Sequence, residues 1–285
     1  MQADRTIRID GGKGKADSVS FHATNRADVM PVTAWLPSHA YPKHSHDAFG
    51  IGYMVAGAQD SVYGRHSRIT EAGDVMLTNP GEVHDGTPID DQGRAFRMFY
   101  LEPGILYEAA DDLGAVWSNN TEIAPSAAKD RCLAAGLHRL HNAYLEREDK
   151  LATDSLLAQI TGRLVCHHGT ERPDRQAGAF GAVERVRSLL ADAPEESYEL
   201  DQLAALAGLS KYHFVRSFKK AIGVTPFSYL THRRVAKSMT LLRAGHNATE
   251  AALDSGFFDQ SHFTRYFKQI YGVAPGMAAR QAGLY

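Results

Sequence analysis

A stretch of about 25 residues occurs twice near the end of the chain, and this repeat restricts the fold more than any other feature. Phe214 matches Phe263, Arg216 matches Arg265, Phe218 matches Phe267, Lys219 matches Lys268, Gly223 matches Gly272 and Pro226 matches Pro275, every pair 49 residues apart. The second copy carries one extra residue between Gly256 and Phe263. In the first copy a short segment with Leu203, Ala204 and Leu206 on its apolar side runs into Gly208, and glycine suits the left-handed conformation that stops a helix. Ser210 is placed to cap the helix that follows. Gly256 is the stop in the second copy, and Asp259 or Ser261 is the cap. Helix, tight glycine-containing turn and second helix form the helix-turn-helix pattern.

On each second helix two phenylalanines stand four residues apart and share one face. The opposite face carries Lys211, Tyr212, Arg216, Lys219 and Lys220 in one copy and Gln260, His262, Thr264, Arg265 and Lys268 in the other. A single such unit fits an ordinary helical bundle with solvated cations as well as it fits duplex DNA. Two units, each with polar and basic groups opposite a phenylalanine pair, point to DNA. Between them Pro226 begins a helix, as proline does at a first helical position, and Gly245 ends it. Roughly 18 residues at 1.5 Å each make a rod of about 27 Å. That length suits two helices entering major grooves about one DNA turn, ~34 Å, apart.

The overall charge of −2 conceals an asymmetry. From Gly181 onward there are 13 Lys and Arg against 9 Asp and Glu; the remainder has 18 against 24. A modestly basic C-terminal part joined to an acidic N-terminal part permits nucleic-acid binding at one end only. No run of 18 apolar residues exists, so no transmembrane helix or membrane partner is expected, and the polar stretch Met1 to Asp10 does not read as a secretory signal. Two cysteines, Cys132 and Cys166, in segments read as helical, fit reduced thiols and the cytoplasm.

Residues 20 to 104 read as short strands punctuated by turn residues, such as Gly73-Asp74 and Pro80-Gly81. Leu133, Leu137, Leu140 and Tyr144, then Leu151, Leu156, Leu157, Ile160 and Leu164, recur at helical spacing. A Gly-, Pro- and charge-rich stretch follows. The expected organisation is a β domain over 1–123, a helical segment over 124–168, a linker over 169–180 and an all-α domain over 181–285. The fold class is α+β.

Residues 181 to 280 resemble the DNA-binding domain of AraC/XylS-type regulators. The resemblance rests on Leu203-Ala204, Gly208-Leu209-Ser210, Phe214, Arg216, Phe218-Lys219, Gly223 to Pro226, Tyr229-Leu230, Arg234-Val235 and Leu241-Leu242. It continues through Gly256-Phe257, Ser261-His262-Phe263, Arg265, Phe267-Lys268 and Gly272 to Pro275. It implies seven helices, promoter binding and base reading by Lys211, Tyr212, His213 and Arg216 and by Gln260, Ser261, His262 and Arg265. Thr264 stands on the same exposed face. Lys219, Lys220 and Lys268 lie further along and suit phosphates. One departure is Ala248 and Ala251, where the family usually carries Ile or Val, which implies a looser second core.

His44-Ser45-His46, followed about 30 residues later by Gly73-Asp74 and by Pro80-Gly81-Glu82-Val83-His84, resembles the two motifs of a cupin barrel. Such a barrel is often the sensor domain of these regulators. Metal-binding cupins place a Glu where Gly50 or Ile51 stands here, so the expectation is an effector pocket without metal or other cofactor. A metal on His44, His46 and His84 is the alternative, since three imidazoles are chemically sufficient. The expected lining is His44, His46, Tyr53, His84, Arg97 and Tyr100, with Arg97 suited to an anionic effector. The resemblance further implies a small-molecule effector, a homodimer formed through 124–168 and contact with RNA polymerase if the protein activates. Two other readings compete: a metal-dependent cupin enzyme fused to helices, and an architectural DNA-binding protein with no effector.

Overall fold

The computed structural model describes residues 16–24, 26–63, 66–118, 121–147, 149–171 and 179–281. The polar start of the chain and most of the expected linker, 172–178, lie outside the described residues. Strands β1 (Ser18–Phe21), β2 (Val29–Leu36), β3 (Tyr41–His44), β4 (Phe49–Ala56), β5 (Ala58–Tyr63), β6 (His66–Glu71), β7 (Val75–Thr78), β8 (His84–Pro88) and β9 (Arg94–Leu101) form two antiparallel sheets. Their orders are β1-β2-β9-β4-β7 and β3-β8-β5-β6. The sheets face one another across a cavity, but no strand pairing among the described residues joins them into one closed barrel, which corrects the expected barrel.

Alternation along the strands sorts the side chains. From β9, Phe96, Met98 and Tyr100 point between the sheets. Phe99 and Leu101 point the other way, with Phe49, Ile51 and Tyr53 of β4, into a core closed by helices. Those helices are α1 (Pro103–Asp112), α2 (Arg131–Leu145) and α3 (Lys150–His168), which contribute Leu106, Leu133, Leu137, Leu140, Ile160 and Leu164. Helix α1 was not read from the sequence, although Pro103 at its first position was a usable signal. Gly52 allows β4 and β9 to lie close: a Cβ there would stand 2.2 Å from the Arg97 carbonyl oxygen. Arg94, fully buried, ties the sheets together by donating from Nε to Gln59 Oε1 (2.6 Å) and from its Nη atoms to the carbonyls of His39 (2.9 Å) and Gly86 (3.3 Å).

Strands β10 (Thr121–Ile123) and β11 (Gly169–Glu171) pair antiparallel, so the first three residues of the stretch expected as linker are ladder-bonded strand. Seven helices follow among the described residues: α4 (Ala179–Asp192), α5 (Leu200–Leu206), α6 (Lys211–Ile222), α7 (Pro226–Arg243), α8 (Ala248–Asp254), α9 (Gln260–Tyr271) and α10 (Pro275–Gln281). The expected punctuation is in place. Gly208 and Gly256 follow α5 and α8 at φ +66° and +84°, and Gly223 and Gly272 end α6 and α9 at +96° and +76°. Asp259, not Ser261, caps α9 by accepting from the His262 amide, whereas Ser210 precedes α6 without a side-chain cap bond. Asn247 and Glu250 form a capping box at α8.

Helix α7 serves both repeat units. Its first turns give Tyr229 and Leu230 to a core with Val186, Leu203, Phe214 and Phe218. Its later turns give Val235, Met239 and Leu242 to a core with Ala251, Ala252, Phe263 and Phe267. All four phenylalanines are fully buried, each contributing roughly 1.5–3 kcal/mol by area removed from water. Leu206 is 45% exposed, contrary to expectation; Ala207 is buried instead, because the helix has reached its last turn there.

The N-terminal and helical domains share packing. Gly223 lies against Val83, and Val83 belongs to the first unit's core. Tyr271 meets Phe21 edge-on, with ring centroids 6.1 Å apart. Arg233 of α7 pairs with Asp47, and Arg243 donates to the carbonyls of Ala27 (2.7 Å) and Val29 (3.2 Å).

Candidate nucleic-acid interface and ligand pocket

The two glycine turns leave the N-terminal ends of α6 and α9 in solvent. Lys211, Tyr212, His213, Arg216, Lys219 and Lys220 are exposed, as are Gln260, Ser261, Arg265 and Lys268; His262 and Thr264 are half-buried. The buried phenylalanine pairs fix which face turns outward, so the expected residues share the outer surface of their helices. Lys211 is held by Asp201 at 2.7 Å. Arg216, Lys219, Lys220, Arg265 and Lys268 form no ion pair among the described residues. Other cations of the same domain are engaged: Arg234 donates to the carbonyls of Pro194 (2.7 Å) and Glu196 (2.8 Å), and Lys237 pairs with Glu195 at 2.8 Å. An exposed arginine fork can grip guanine, and an exposed Gln can grip adenine.

The cavity between the sheets is about 50 Å³, room for a few water molecules. From the five-stranded sheet Val19, Phe21, Val32, Met76, Phe96 and Met98 give it an apolar wall, with Tyr100 beside them; from the four-stranded sheet Tyr41, His44, Tyr63 and His84 make the other side polar. Ile270 and Tyr271, the last residues of α9, also line it. His46 stands beside His44 and His84, with ring centroids 4.8 and 5.2 Å away, and 4.7 Å from the Tyr100 ring. Their candidate ligand nitrogens all lie within 4.8 Å of one another, and all three residues are buried.

The Nδ1–H of His44 donates to the Pro42 carbonyl at 2.7 Å, and that of His84 to the Glu82 carbonyl at 2.9 Å. A carbonyl only accepts, so each ring keeps its lone pair on Nε2. Burial, reinforced by the neighbouring imidazoles, pushes His44 and His46 well below the usual histidine range, and burial pushes His84 down to about 4. The cluster is therefore neutral near pH 7. Burial likewise raises Tyr100 well above the ordinary phenol.

Four of the six expected lining residues, His44, His46, His84 and Tyr100, come together. Tyr53 and Arg97 do not. They point through the other face of the five-stranded sheet, where Arg97 donates to Asn142 Oδ1 of α2 (2.6 Å) and to the Tyr53 hydroxyl (3.2 Å), and Tyr53 meets His138 Nδ1 at 3.0 Å. Arg97 alternates with Phe96 and Met98 along β9, so it stands on the helix-covered face while they face the cavity. Sequence reading missed Tyr271, which extends the Phe263–Phe267 stripe by one turn and was legible in retrospect.

Residues 26–161 match the family described as the AraC-like ligand binding domain, and residues 203–281 match a helix-turn-helix domain family. The chain is 29% identical over 227 residues to the HTH-type transcriptional regulator YbfI of Bacillus subtilis, covering 78% of this chain and 81% of that protein. It is 24% identical over 267 residues to the transcriptional activator RhaS of Yersinia pseudotuberculosis, covering 90% and 96%. ToxT from Vibrio cholerae shares the fold, with a TM-score of 0.56 at 11% identity over 94% of this chain and 97% of that one. Two sheets facing one another across a small cavity, joined to two helix-turn-helix units with outward basic faces, agree with these likenesses: the chain belongs to the AraC family of DNA-binding transcription regulators.

Proposed function

We propose that a small molecule bound between the sheets sets how α9 is presented to promoter DNA. One observation carries this reading: the helix that offers Gln260, Ser261 and Arg265 to solvent at its start lines the cavity with Ile270 and Tyr271 at its end. Twelve residues make that helix about 18 Å long. A metabolite-sized ligand needs far more room than the present cavity gives, so its entry displaces Ile270 and Tyr271 and moves α9 with them. Ligand and operator thereby select between the same two states. An apolar wall facing a polar patch of imidazoles and phenols suits an amphiphilic effector. ToxT, which shares the fold at a TM-score of 0.56, has been crystallised with an unsaturated fatty acid.

In this reading Lys211, Tyr212, His213, Arg216, Gln260, Ser261, His262, Thr264 and Arg265 face base edges, and Lys219, Lys220 and Lys268 face phosphates. The protein works in the cytoplasm as a homodimer through the α2–α3 segment and activates transcription by touching RNA polymerase; RhaS, which aligns over 90% of this chain, is an activator. It has no catalytic role, as its relatives are regulators. Thermal-shift screening of metabolites, then a gel shift with and without each hit, tests the core of the proposal. A ligand that stabilises the native state and changes operator affinity supports it. Hits that bind in the cavity and leave operator affinity unaltered oppose it.

A further inference from the structure

The two helix-turn-helix units differ by one residue in their turns, and the backbone bonding identifies it. In each copy the residue after the turn glycine donates its amide back into the preceding helix: Leu209 to the Ala204 carbonyl and Phe257 to the Ala252 carbonyl, both at 3.0 Å. In the first copy the next residue, Ser210, is already the N-cap of α6, whereas the N-cap of α9 is Asp259. The extra residue of the second copy is therefore Phe258.

Phe258 is fixed from both sides. Phe257 is buried against Phe263 and His262, with ring centroids 5.3 and 5.8 Å away. Asp259 accepts from the His262 amide at 2.7 Å. With both neighbours held, the Phe258 side chain stands 95% exposed, the most exposed large hydrophobic group among the described residues. A ring left in water adds nothing to the cores on either side of the turn. It lies two residues before Gln260 and three before Ser261, at the exposed start of α9. The first unit also presents one aromatic at this end, Tyr212 of α6, 70% exposed.

A phenyl ring has no hydrogen-bonding atom, so it reads neither phosphates nor the donors and acceptors of base edges. The apolar feature that duplex DNA shows in its major groove is the C5-methyl of thymine. An aromatic ring has only two side-chain torsions to immobilise, and here the backbone beneath it is already held.

We propose that Phe258 is a specificity-determining residue of the second unit, set against a thymine methyl at the edge of the bases read by Gln260, Ser261 and Arg265. The inserted turn residue gives this unit an apolar reading element that the turn of the first unit lacks. The proposal rests on the reading of α9 as a base-reading helix, and the test below separates the two.

The probe is a pool of random duplexes, from which the full chain, Phe258→Ala and Phe258→Leu each select their preferred sequence. The expected motif of the parent contains a thymine position that Phe258→Ala loses and Phe258→Leu keeps, the rest of the motif being common to all three. Deoxyuracil in place of that thymine then removes one methyl and no hydrogen bond. By anisotropy the parent is expected to bind the uracil duplex about fourfold more weakly, the worth of one buried methyl group, and Phe258→Ala to bind both duplexes equally. Both variants are expected to melt with the parent, since the ring is in water. Identical motifs from the parent and Phe258→Ala overturn the proposal, as does an equal uracil penalty in both. Identical motifs with a lower transcript yield from added RNA polymerase also overturn it and assign the ring to the polymerase instead. Gln260→Ala and Arg265→Ala run alongside: if neither alters the motif, the reading of α9 fails; if they alter it and Phe258→Ala does not, only the role of Phe258 falls.

Discussion

The ring of His46 lies 5.9 Å from the ring of Tyr271, centroid to centroid and tilted by 33°. One belongs to the sensor's histidine cluster, the other to the last turn of the second recognition helix. One helix of 12 residues carries both the exposed Gln260, Ser261 and Arg265 at its start and the cavity-lining Ile270 and Tyr271 at its end. The interface around it is apolar and continuous: Val19, Phe21 and Met98 belong to the same buried cluster as Phe263, Phe267 and Tyr271.

Arg216→Ala and Arg265→Ala are expected to lose about 1–3 kcal/mol of sequence discrimination each, with unchanged melting temperature, because both side chains are exposed. Lys219→Ala, Lys220→Ala and Lys268→Ala should instead weaken binding to every sequence alike and lower the salt slope by about one each. Fluorescence anisotropy on operator and scrambled duplexes, across a salt series, separates the two groups. Unchanged footprints in both arginine variants would remove the base-reading assignment.

Asp47→Asn leaves Arg233 without its counter-charge in a site where burial already pushes the guanidinium down to about 10. The expected cost is about 1–3 kcal/mol by urea unfolding. Adding Arg233→Met should recover most of it, since the unpaired cation is then gone. A single variant as stable as the parent would show that the pair contributes nothing, and a double variant no more stable than the single would show that the unpaired cation is not the source of the loss.

His141 of α2 is fully buried against Val32 and Phe99, and burial, then the charges of Arg97 and His22, push it down to about 3. The unfolded chain binds its proton near pH 6.5, so below that pH the unfolded state holds more protons than the native one. Stability is complete above about pH 6.5 and falls as the pH drops towards 3. From pH 7 to 5 this one group removes ~2 kcal/mol. Urea unfolding of the parent and of His141→Gln at both pH values checks the difference; parallel pH dependences would contradict it.

Gly52→Ala forces a Cβ to within 2.2 Å of a backbone oxygen and 2.8 Å of Met98 Cα, where no flexible side chain can yield. The strand pair β4–β9 must part, and a loss of 3 kcal/mol or more is expected, beyond ordinary overpacking of ~1–3 kcal/mol. Gly104→Ala, with open space around it, should change the melting temperature little.

Much of this was readable from local pattern. The 49-residue offset located both helix-turn-helix units, and the spacing of Phe214 to Phe218 and Phe263 to Phe267 told inside from outside, because helical periodicity alone determines that. His44, His46 and His84 were assembled from motif spacing, and Tyr100 from its place on the strand Arg94–Leu101. Arg97 and Tyr53 were misplaced because alternation says that neighbours on a strand face opposite ways, not which side holds the cavity and which the helices.

The order of helices, their stops at Gly208, Gly223, Gly256 and Gly272, and the outward basic faces were determined by the sequence itself, since each depends on residues within a few positions of one another. The tertiary structure alone decided that Tyr271 reaches the sensor cavity, that Arg233 of α7 pairs with Asp47 and that Arg94 crosses between sheets. Those relations join residues tens to hundreds of positions apart, and only packing, by excluding water from the contact between domains, selects among the partners that the chain makes available.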